Sequence, residues 1–95
     1  MSKSIIQTEK ECYLTGSTEN LHLHHCIPGT ATRKLCDKYG LTIWLRADWH
    51  NMSDYGVHSN RAFDLDIRRM AQQKAMEHYG WDLNQWIEIF GKNYL

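Results

Sequence analysis

Leu21-His22-Leu23-His24-His25-Cys26 opens the stretch that decides how this chain folds, and Leu41-Thr42-Ile43-Trp44-Leu45, His50 and His58 complete it. Five of the six histidines lie between His22 and His58. Apolar and polar residues alternate over 20–26, which places Leu21 and Leu23 on one face of a strand and His22 and His24 on the other. His25 follows on the opposite side of the backbone, so the two adjacent imidazoles cannot share one task. One can ligate a metal while the other stays free to take a proton, and the cluster reads as a metal site.

Working outward, Ile27-Pro28-Gly29-Thr30 ends that strand, because proline cannot donate to a ladder and glycine frees the backbone to change direction. Residues 31–39 then make a helical turn or two carrying Arg33, Lys34 and Lys38, stopped by Gly40. The run 41–45 is a strand rich in β-branched and aromatic residues. Upstream, Glu11-Cys12-Tyr13-Leu14 before Thr15-Gly16-Ser17-Thr18 reads as a short strand or knuckle closed by a turn, able to form a hairpin with the histidine strand. Residues 1–10 are polar apart from Ile5 and Ile6, and are expected to be a loosely held arm or a short edge strand, leaving 11–95 as the folded domain.

Downstream of His50, residues 53–56 look like a loop or a broken first turn before Val57-His58-Ser59-Asn60. Ser59 or Asn60 caps a helix running through Tyr79, with Phe63, Ile67, Met70 or Ala71, and Ala75 at helical spacing and Gly80 as its stop. Asp82 with Gln85 three residues on is a capping-box pair opening a short helix that ends at Gly91, its apolar face made by Trp86, Ile87 and Phe90.

Composition limits the classes of function. Ninety-five residues suit one small domain with a single modest core. Eleven Lys and Arg balance eleven Asp and Glu, so the chain lacks the basic surplus of a protein held to DNA by charge alone, and any nucleic-acid contact must rest on a local patch, a metal, or both. Three cysteines, an odd number with no signal peptide before them, predict free thiols in a reducing cytoplasm. No apolar run is long enough to span a bilayer, and no repeat or low-complexity segment is present.

Strand, turn, strand carrying His24-His25, loop, strand and a histidine leading into a helix is the order of a ββα-metal motif. The chain resembles the HNH endonuclease superfamily, and more closely the small HNH-like proteins of phage and prophage genomes. The resemblance is carried by Cys12-Tyr13-Leu14-Thr15-Gly16, Leu21 to His25, Gly29 with Arg33-Lys34, Trp44-Leu45-Arg46-Ala47-Asp48-Trp49-His50 and Phe90-Gly91-Lys92-Asn93-Tyr94-Leu95. It implies an α+β fold, a small single domain with an HNH-like ββα-metal core and additional C-terminal helices. It also implies a cytoplasmic location in a bacterial host.

Phosphodiester hydrolysis needs a base for water, a cation for the charge that develops on phosphate, and basic groups that hold the phosphate in line. By match to the motif, His24 and His50 are metal ligands, His25 is the general base, and His58 is a further ligand or phosphate contact. Eight positions separate His50 from His58, so 51–57 must loop out, and Asp54 is the rival ligand. Arg33 and Lys34 are the phosphate-binding candidates. One divalent ion, Mg, Mn, Zn or Ni, is implied, and imidazole ligands suit the transition metals better than Mg. The asparagine that names the family, expected eight or nine residues before His50, is replaced by Leu41 or Thr42. The two Cys-x-x-Cys pairs of a structural zinc are also missing, so Cys26 and Cys36 read as small buried thiols rather than ligands.

The remaining notable residues take plainer readings. His22 and His78 are solvated or core side chains. Arg68, Arg69 and Lys74 lie on a helix face diluted by Asp64, Asp66 and Glu77 and read as solvated surface. Trp44, Trp81 and Trp86 belong to the core, and Trp49 can wall the site. Three functions are left open. The first is a metal-dependent endonuclease acting on DNA with little sequence preference. The second is a weakly active or inactive HNH-like phage accessory protein that binds DNA or a protein partner, alone or as a homodimer, away from membranes. The third is a structural zinc module that unfolds without its ion.

Overall fold

The computed structural model describes residues 3–53 and 55–95. Its centre is a two-stranded antiparallel sheet in which β1 (Leu21–His25) runs beside β2 (Thr42–Arg46), with His24 opposite Ile43 and His25 opposite Thr42. The helix α1 (Thr30–Tyr39) joins the strands; α2 (Ala47–His50), α3 (Arg61–Tyr79) and α4 (Leu83–Phe90) follow. The class is α+β, with four helices on a small sheet among the described residues. None of these helices is long and apolar enough to cross a membrane.

The strand partner of the histidine strand differs from expectation. Residues 11–14 form no strand. Cys12 instead opens a knuckle in which Gly16, at φ 75°, donates to Cys12 O and Cys12 N donates to Ser17 O. Glycine's access to positive φ closes the turn locally, so Cys12, Gly16 and Ser17 bond to one another rather than forming a hairpin with the histidine strand. Residues 3–10 are also more firmly held than a loose arm. Ile5 N donates to Gly40 O, and four outward-facing groups of β2 find partners nearby. Thr42 O accepts from Ser4 Oγ, Trp44 N donates to Gln7 Oε1, Trp44 O accepts from Tyr13 N, and Arg46 N donates to Cys12 Sγ.

The helices follow their local signals. The Asn60 side chain accepts from Phe63 N at 3.1 Å and begins α3, and Asp82 with Gln85 forms the full capping box of α4. The helix α1 is ten residues long, more than the turn or two expected, and ends at Gly40 in the left-handed conformation. Cys26, Ile27, Leu41, Ile43 and Leu45 from the sheet side meet Ile67, Ala71, Ala75 and Trp86 in the core. Cys12, Cys26 and Cys36 are free and buried. Burial raises the Cys26 thiol well above its usual range and Cys36 to about 11, which keeps both protonated and unsuited to metal. Trp86 is fully buried and its Nε1 donates to Lys92 O at 2.8 Å, which folds the segment after α4 back onto the helices. Trp81 is half-buried against the core, whereas Trp44, expected in the core, is half-buried outside it with Lys10 Nζ 4.6 Å over its ring.

Candidate metal centre

The pleat of β1 points His22 and His24 to the same side, and β2 feeds directly into α2, whose last residue is His50. His58 arrives by a different route. After α2 the chain folds back so that Val57 N donates to Trp49 O at 2.8 Å and His58 N to His50 O at 3.3 Å. Gly56 makes this return possible: a Cβ there would lie 2.9 Å from both Asp48 O and His50 O. The return is clamped by Asp48, which accepts two hydrogen bonds from Arg46 and one from the Tyr55 hydroxyl. These donors hold the Asp48 carboxyl well below the usual carboxylate range. The eight-residue gap between His50 and His58 is thereby closed in space.

His24, His50 and His58 consequently offer ring nitrogens that all lie within 4.8 Å of one another, the arrangement that could hold a metal ion. His24 is 5 % exposed, and its Nε2 is buried with no hydrogen-bond partner. An orphaned buried ring nitrogen costs on the order of 1–3 kcal/mol, which a metal–nitrogen bond would relieve. Burial pushes the His24 imidazolium down to about 3, helped by the charges of its neighbours, and burial with His58 and His22 pushes His50 to about 4. Both rings are therefore neutral at pH 7, the form a divalent ion binds. The donor set of three imidazoles fits a transition metal.

His22, read from sequence as an isolated side chain, belongs to this group. Its Nδ1 lies 3.1 Å from His50 Nδ1, while His50 Nε2 lies 3.0 Å from His58 Nε2. With His50 donating from Nδ1 to His22, its Nε2 lone pair is turned to the cluster, the outer-shell arrangement that fixes a ligand's tautomer. The alternation of 20–26 already placed His22 on the face of His24, so a signal was present. His78 is exposed and packs edge-on against Tyr79.

His25 stands apart from the cluster, as the strand pleat requires. Its Nε2 is 2.8 Å from Asp37 Oδ1 on α1, yet it lines the same open cavity of about 380 Å³ as His24, His50 and His58. Arg33 lines that cavity too, whereas Lys34 is not among its lining residues and is exposed. Asp54, the rival ligand, lies outside the described residues. Trp49 packs on Tyr55 and Phe63 instead of walling the cavity.

Asp37, Asp64 and Arg68 were not singled out as site residues, and the structure brings all three to the centre's surroundings. The i,i+4 spacing of Asp64 and Arg68 is legible as a helix-surface ion pair. Which way that face turns depends on how α3 packs, and no local pattern carries it. Comparison of the chain with protein-family models, curated proteins and solved structures gives no match.

Proposed function

We propose that this chain is a metal-dependent endonuclease of the HNH type, phage- or prophage-encoded, that hydrolyses DNA phosphodiester bonds. The observation that carries this reading is the convergence of His24, His50 and His58 within 4.8 Å beside a cavity that His25 also lines. Histidine from β1, antiparallel β2, then α2 ending in His50 is also compatible with a ββα-metal core.

His24, His50 and His58 would hold the ion, with His22 orienting His50. The ion, when bound, supplies a Lewis acid for the charge that develops on the phosphate oxygens. His25 is the base. Donation from its Nε2 to Asp37 leaves the Nδ1 lone pair to take a proton from water, and the carboxylate steadies the imidazolium that results. Asp37 thus supplies an orienting contact in a chain that has Leu41 and Thr42 where the family has its asparagine. Arg33, on the same cavity, holds the phosphate in line.

The test is nicking of supercoiled plasmid by the full chain with Mg, Mn, Zn, Ni or chelator, beside His25→Ala. Metal-dependent nicking that falls at least ~100-fold in the variant, with metal binding retained, is the expected result. A protein that binds metal, stays folded and nicks under no condition would overturn the enzyme reading. It would leave the accessory protein that binds DNA or a protein partner as the better account.

A further inference from the structure

Arg68 and Arg69 are neighbours on α3 with opposite circumstances. The Arg69 side chain is 51 % exposed and pairs outward with Asp66, whereas that of Arg68 is 15 % exposed and lines the cavity that holds the histidines. Arg68 donates from Nε to Asp64 Oδ1 and from Nη2 to Asp64 Oδ2, and Asp64 lines the cavity beside it. The Tyr94 ring lies against the guanidinium, 5.6 Å from Cζ. Tyr94 is itself fastened: its backbone N donates to Gln72 Oε1 at 2.7 Å, and Gln72, fully buried, donates from Nε2 to Asn93 Oδ1 at 3.0 Å. A long cationic side chain is thus held from two sides, by the Asp64 carboxylate and the anchored Tyr94 ring, which is more than a solvated surface residue requires.

The surroundings are arranged for an anion. Asp64 occupies two of the five guanidinium N–H donors, and the fork geometry of the group matches phosphate oxygens. Among the Lys, Arg, Asp and Glu residues lining the cavity, Arg33 and Arg68 contribute two positive charges and Asp64 one negative, in a chain whose Lys and Arg are otherwise balanced by its Asp and Glu.

We propose that Arg68 is a phosphate-binding residue of this site, holding a backbone phosphate of the nucleic acid against the His24, His50 and His58 cluster. In this arrangement Asp64, Tyr94 and Gln72 are the positioning residues that aim it. The inference rests on the nuclease reading and extends its phosphate contacts to a second wall of the cavity, on a different element from Arg33.

The test is equilibrium binding of a short fluorescent DNA duplex to the full chain, followed by anisotropy over a range of salt with chelator present, so that cleavage plays no part. The variants are Arg68→Gln, the double variant Asp64→Asn with Arg68→Gln, Arg68→Lys, and Arg69→Gln. The double variant removes both charges of the ion pair together, so no carboxylate is left stranded. Arg68→Gln and the double variant are expected to bind roughly tenfold more weakly and to lower the slope of log affinity against log salt by about one. Arg68→Lys should recover the slope, and Arg69→Gln should match the parent chain. A folded double variant with the parent's affinity and slope would overturn the assignment of Arg68 while leaving His25-dependent nicking in place. A parent chain that binds no duplex would overturn the assignment of Arg68, the nuclease reading being decided separately by plasmid nicking, and displacement of the duplex by equimolar inorganic phosphate would overturn the assignment to a nucleic-acid backbone.

Discussion

At the residue scale the centre is governed by the cost of charging buried imidazoles. In an unfolded chain His24 and His50 titrate near their ordinary value of 6.5; in the folded chain burial first, then neighbouring charges, hold them at about 3 and about 4. Between those values and 6.5 the unfolded chain binds more protons than the folded one, so the contribution to stability is complete above about 6.5 and is lost as pH falls toward the folded values. The metal-free protein is therefore expected to unfold at progressively lower denaturant as pH drops from about 6.5 to about 4, with metal affinity falling over the same window. Urea titrations read by tryptophan fluorescence check this, and a midpoint that stays level down to about pH 4 would contradict it. At this scale the sequence was partly legible. Alternation along 20–26 separates His24 from His25, and the structure keeps them apart, one in the cluster and one on Asp37. The partners of His22 and His25 come from α2 and α1, and strand periodicity reports a side chain's face without naming what stands opposite.

At the scale of elements, the decisive piece is the return after α2 rather than any regular helix or strand. Gly56 allows the backbone of 56–58 to lie against Asp48 and His50, and a methyl group there would meet two carbonyl oxygens at 2.9 Å. Gly56→Ala is expected to cost about 1–3 kcal/mol by overpacking and to swing His58 away from His50. Isothermal titration with Zn or Ni should then show weaker binding, with the sheet and α3 retained by circular dichroism; unchanged affinity would mean that His58 contributes little. This return was not foreseeable in form, because its pairing depends on contacts between residues eight apart in an irregular segment. By contrast α3 and α4 were legible to their caps, since Asn60, Gly80, Asp82 and Gly91 act on their own backbone neighbourhood. The length of α1 was underestimated because Cys36 is its only buried residue, which leaves little apolar period to read.

At the scale of the molecule, the cavity is assembled from β1, the turn before α1, α1 itself, α2, the return and α3, so its lining depends on nearly every element being in place. The segment Asn93-Tyr94 is fixed to Gln72 in the middle of α3. Net charge misleads at this scale: a chain with no overall charge still gathers two arginines and one aspartate around the histidines. The residues before Cys12 carry a consequence of another kind. A two-stranded sheet has two open edges, and an open edge is a template on which another chain can add a strand and nucleate aggregates. Ser4, Gln7, Cys12 and Tyr13 occupy the outward groups of Thr42, Trp44 and Arg46, so that edge of β2 is already spoken for. Deleting residues 1–10 should therefore bring self-association before it brings any loss of metal. Light scattering of the shortened chain against the full one would register the change, and an equally monodisperse shortened chain would show that Tyr13 and Cys12 shield the edge unaided.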